Sequence, residues 1–231
     1  MLNIPDAFIH RTDAMRQIIR LLQSNPYYCR GQFDLRDAPL YAAKHEAYGA
    51  FVDEMTRYRW KKKGVACVQA VYLIDDARVF YWLFVSEGNG PVILNEELHL
   101  ITDKNHRVSF AGYEAIRVTQ KGKQSTAWTW QIKPEKYDEL EAEIKLAIRH
   151  KDFEKIRQWV YSLKRVPSFA MIRKQAYKLA KNAEAEWQRV AKGSYPGGNF
   201  AIGWQGRFKK AKTKPLYQSL GKSMENFLTF P

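Results

Sequence analysis

Three observations predict an α+β protein, an antiparallel β-meander flanked by N-terminal helices and a basic C-terminal helical region. Helical periodicity marks the early and late parts of the chain, a β-rich stretch with short polar turns lies between them, and the positive charge gathers towards the C-terminal end.

The spacing predicts a first helix over residues 5–23. Pro5 suits a first turn, Asp6 suits the positive helix end, and Phe8, Ile18, Ile19 and Leu22 fall on one side before Ser24-Asn25-Pro26 ends it. A second helix over 39–58 carries Tyr41, Tyr48, Phe51, Val52 and Met55 as a core-facing stripe. It runs into Arg57-Tyr58-Arg59-Trp60-Lys61-Lys62-Lys63, closed by Gly64.

Stretches 65–74, 79–86, 98–102, 107–119 and 125–133 are rich in Val, Ile, Tyr, Phe, Trp and Thr. Turns at Asp75-Asp76, Glu87-Gly88-Asn89-Gly90 and Lys121-Gly122-Lys123 separate several of them. Short connections join antiparallel neighbours, so a meander of four or five strands is expected. Beyond Lys133, Pro134 opens a helix with the stripe Tyr137, Leu140, Ile144 and Ile148. Asp152 caps a shorter one that turns Phe153, Ile156, Val160 and Leu163 inward. Pro167 opens the longest periodic segment, with Phe169, Ile172, Ala176, Leu179, Ala183, Trp187 and Val190 on one face. A loop over 193–203, a basic segment over 207–214 and a short helix near 216–227 complete the chain. The domain division read from this pattern is 1–133 for helices plus sheet, 134–192 for a helical region, and 193–231 for a basic arm.

Composition excludes several functions. The longest apolar run, residues 79–85, is seven residues against the roughly 20 of a membrane-crossing helix, and the first residues carry no charged-then-apolar leader. Cys29 and Cys67 are the only cysteines, with no CxxC spacing, which leaves neither a disulfide framework nor a zinc site and points to the cytoplasm. The net charge is +14, and its location carries the argument. Residues 1–154 hold 22 basic and 21 acidic residues, whereas residues 155–231 hold 16 basic and three acidic ones, Glu184, Glu186 and Glu225. One-sided charge of this kind is the footprint of a polyanionic partner.

The helices over 152–163 and 167–191, joined by Lys164-Arg165-Val166-Pro167, have the outline of a helix-turn-helix. Arg173 and Lys174 would then stand near base edges, with Lys178 and Lys181 further along as phosphate contacts. The alternative is a solvated basic face on a structural helix, although no acid falls between 155 and 181. Arg207, Lys209, Lys210, Lys212 and Lys214, with Phe208 among them, read as an arm that clamps phosphates or as a solubilising tail. In residues 57–63, Trp60 reads as helix-end packing with exposed lysines rather than as a single-strand surface. Trp128 and Trp130, with Tyr81, Trp82 and Phe84, read as core rather than as a base-stacking platform.

Catalytic signals are few. The five histidines, His10, His45, His99, His106 and His150, are scattered, and no Walker, GxGxxG or GxSxG pattern occurs. Asp75-Asp76 reads as turn chemistry, and Glu114 as a single buried acid beside Arg117, short of a two-metal site. His45, Tyr48 and His106 stay open as the base or acid of a metal-free ribonuclease.

Gly112-Tyr113-Glu114, Trp128-Thr129-Trp130 and the pattern Pro167-x-Phe169-x-x-x-Arg173-x-Gln175 resemble uncharacterised accessory proteins of bacterial integrative conjugative elements and plasmids, over about residues 79–190. The resemblance implies mobile-element DNA as partner, in transfer, replication or anti-defence, and fixes no catalytic residue. The expectation is therefore a non-enzymatic DNA-binding accessory protein without cofactor or metal, free of membrane contact and acting within a larger nucleoprotein assembly. Two other classes stay open: an RNA-binding or metal-independent RNA-processing subunit of a CRISPR-type ribonucleoprotein, and a protein-binding anti-defence inhibitor.

Overall fold

Apolar runs that leave no polar face require cover on both sides, and the strands of this chain meet that requirement in a mixed sheet. A computed structural model describes residues 6–119, 122, 125–191, 193–202 and 211–216. Helices and mainly antiparallel strands give the α+β class, in two compact units: residues through Val108 with the returning segment 211–216, and residues from Ser109 to Ile202.

The first unit contains β1 (Asp6–Phe8), α1 (Arg11–Leu21), β2 (Tyr27–Asp34), α2 (Ala38–Ala47), α3 (Glu54–Lys62), β3 (Val68–Asp75), β4 (Arg78–Val85), α4 (Pro91–Asn95), β5 (His99–Leu100) and, from the far end of the chain, a last short strand over 213–215. The β3–β4 hairpin turns at Asp76-Ala77 and pairs Val68 with Val85 through Asp75 with Arg78. Alternate residues Val68, Tyr72, Val79, Tyr81, Leu83 and Val85 join a core that includes Tyr48 and Phe33. On the other face α1 lies against β3 and buries Met15 and Ile18. Covered on both faces, residues 79–85 have no need of a polar side.

Four expectations are corrected in this unit. Residues 6–8 form β1 rather than the start of a helix, because Phe8 pairs in parallel with Leu73 on one side and antiparallel with Thr213 on the other. The helix expected over 39–58 is two helices. Gly49, at φ 75°, turns the chain where a Cβ would run into the Trp60 ring, and Asp53 restarts the helix by accepting from the Thr56 N–H at 2.9 Å. β2 is an additional strand, paired along its whole length with β4. Finally, the segment 211–216 is not a free arm: residues 213–215 extend the sheet beyond β1, and Leu216 is buried in the core.

The second unit contains β6 (Ser109–Phe110), β7 (Tyr113–Thr119), β8 (Thr126–Ile132), α5 (Pro134–Arg149), α6 (Phe153–Lys164) and α7 (Ala170–Val190), and the strand over 213–215 becomes β9. The expected strand over 107–119 is a hairpin, turned by Ala111 and Gly112 at φ 48° and 82°. The strands thus form two sheets, β5-β2-β4-β3-β1-β9 and β6-β7-β8, and the chain divides after Val108 where the sequence reading had 133. Lys121 and Lys123 of the expected turn, and residues 217–227 of the expected last helix, lie outside the described residues. Among the described residues no helix is long and apolar enough to cross a membrane.

Candidate nucleic-acid interface

α6 begins where Asp152 accepts the Lys155 N–H at 3.0 Å, and it turns Ile156, Val160 and Leu163 inward. α7 buries Ile172, Ala176, Leu179, Ala183 and Trp187 along one face. Its main neighbours are α5 and β8. Gln175 joins it to the outer strand of the sheet, accepting from the Ile132 N–H at 2.7 Å and donating to the Ile132 carbonyl at 3.1 Å. With that face committed to the core, helical geometry turns Lys174 and Lys181 to solvent on one line, two turns or about 10 Å apart.

The basic residues read from the sequence fall into separate environments. Lys174 and Lys181 are exposed, Arg173 and Lys164 are half-buried, and none of the four forms an ion pair with another described residue. Arg165, also exposed, holds its guanidinium 4.1 Å above the Tyr161 ring. Lys178 is exposed but lies 5.9 Å from the Tyr137 ring of α5. It also faces Glu141, whose carboxyl is held below the usual carboxylate range by the Asn182 hydrogen bond, by Lys145 and by Lys178 itself. At the other end of α7, Arg149 and Arg189 converge on the buried Glu186 at 3.0 and 3.2 Å. The uncompensated charge therefore lies on α7 from Arg173 to Lys181 and at the end of α6.

Lys212 and Lys214 belong to the first unit, where both are exposed beside β1. Arg207, Phe208, Lys209 and Lys210 lie outside the described residues. The helical positions Arg157, Tyr161 and Tyr177, all exposed, were absent from the sequence reading. The four-residue spacing of Arg157, Tyr161 and Arg165 could have revealed the first two.

The acid–base candidates are in different places. His45 is buried with Nδ1 2.6 Å from the Tyr72 hydroxyl, and burial pulls its pKa down to about 4. Tyr48 donates to Glu96 at 2.9 Å, and Lys44 pairs with the same carboxylate at 2.7 Å. His106 lies 61 residues beyond His45 in the sequence, stacked on His99 with 4.4 Å between ring centres, and its Nδ1 meets Asp103 at 2.8 Å. Glu114 is buried and accepts from Gln131, its neighbour across the strands, at 2.6 Å. Trp130 is fully buried, while Trp128 is half-exposed. Among the described residues no group of three or more His, Cys, Asp and Glu side chains could hold a metal ion.

Comparison with known proteins yields no match, whether to family models, to curated proteins or to solved structures.

Proposed function

We propose that this chain is a non-enzymatic nucleic-acid-binding protein, with DNA as its first partner, that engages the phosphate backbone through the exposed cations of α6 and α7. The observation that carries the reading is the charge left over after pairing: Lys174 and Lys181 stand in line on the solvent face of α7, with no ion pair to another described residue. Each phosphate contact releases condensed counterions, so affinity should fall steeply with salt. The resemblance over residues 79–190 supports mobile-element DNA as the partner, and the two cysteines without CxxC spacing support the cytoplasm as the setting.

The test is binding of the full chain to a labelled duplex over a salt series. Replacing Lys174 and Lys181 together by alanine should lower the slope of log affinity against log salt by about two. A wild-type slope retained by the double variant overturns the reading. The proposal also expects no magnesium- or manganese-dependent cleavage of DNA or RNA, and chelator-sensitive cleavage by the purified protein overturns its non-enzymatic part.

A further inference from the structure

The basic face is not made of cations alone. On α6 and the residue that caps its end, Arg157, Tyr161 and Arg165 follow one another at four-residue spacing, so Arg157 and Tyr161 share one side of the helix and Arg165 follows them at the C-cap. Tyr161 is 56% exposed, and the Arg165 guanidinium covers one side of its ring at 4.1 Å. On α7 the pattern recurs: Tyr177, 42% exposed, lies three residues after Lys174 and four before Lys181. Its hydroxyl accepts from the Ile202 N–H at 3.3 Å, and its ring meets Phe200 edge-on at 5.3 Å, which fixes its orientation.

A contact to duplex backbone needs only donors and positive charge, and aromatic rings add nothing to it. Paired bases also keep their flat faces inside the stack. An unpaired strand presents those faces, and aromatic rings and guanidinium planes are the groups on which they stack. Arginine rather than lysine on both sides of Tyr161 suits the same task, since its planar group can stack and bind phosphate.

We infer that the Arg157–Tyr161–Arg165 stripe binds an unpaired nucleic-acid strand, with a base stacked on the Tyr161–Arg165 pair and Arg157 on a neighbouring phosphate. This inference rests on the nucleic-acid reading of the same face and specifies its ligand. DNA and RNA strands share the chemistry that the stripe recognises.

The test measures fluorescence anisotropy of the full chain with a labelled single strand of mixed sequence, as DNA and as RNA, and with the duplex of that sequence. At least one single strand should bind more tightly than the duplex at equal salt, and comparison of the two strands identifies the source. Tyr161→Ala should weaken single-strand binding roughly 5- to 100-fold without changing the salt slope, and leave duplex binding unchanged. Tyr161→Phe should retain single-strand affinity, whereas Arg165→Lys, which keeps the charge, should lower it. If strand and duplex bind equally, or if Tyr161→Ala leaves strand binding intact, the stacking inference falls while the basic-face reading stands. If no nucleic acid binds at all, both fall.

Discussion

A cation's sequence neighbours do not determine whether it is free to meet a phosphate. Lys174 and Lys178 sit one turn apart in a segment without acids, yet Lys178 faces Glu141 and Tyr137 of α5 while Lys174 faces solvent. Lys174→Ala should therefore reduce nucleic-acid affinity and lower the salt slope by about one, and Lys178→Ala should do so by less, as binding titrations at several salt concentrations would read. His45 gives the second prediction at this scale. Its neutral ring is buried beside Tyr72, with a pKa of about 4 against about 6.5 in the unfolded chain. Because the folded value is depressed, the unfolded state binds the proton first as pH falls. The stability contributed by His45 is present above pH 6.5 and is lost between 6.5 and 4, to a limit of about 3 kcal/mol. His45→Gln removes that titration, so the drop in unfolding free energy between pH 7.5 and 4.5 should be smaller in the variant by much of this amount.

Whole elements depend on single polar groups in the same way. β8 is the outer strand of its sheet, and the Gln175 amide takes up both backbone groups of Ile132 where a further strand would otherwise pair. Gln175→Ala strands a buried N–H and carbonyl and should cost about 1–3 kcal/mol in denaturant unfolding of the full chain. Elements with local signals were legible from the residues: Asp152 as a cap, Pro134 as a helix start, and the β3–β4 hairpin with its tight turn. β2 was not, because Arg30, Gly31, Gln32 and Asp34 dilute its apolar pattern and its pairing with β4 crosses more than forty residues. Gly49 reads as an ordinary helix residue until the Trp60 ring is seen against it.

At the scale of the whole molecule, residues 6–8 and 213–215, more than 200 positions apart, meet in one sheet. β1 lies between β3 and β9, and Leu216 is buried in the same core as Ala7 and Val79. Leu216→Ala should therefore destabilise the first unit by about 2–5 kcal/mol, measured by denaturant unfolding, although it lies in what reads as a basic tail. The sequence by itself determined the α+β class, the helical periods of the second unit and the concentration of charge after residue 154, because periodicity, capping and composition are properties of neighbouring residues. Only the tertiary structure decided that the strands divide into two sheets, that residues 213–215 form an edge strand of the first, and which cations keep their charge unmatched. Those outcomes depend on strand pairing and on the acids of α5 packed beside α7, contacts between residues far apart in the chain that no local pattern encodes.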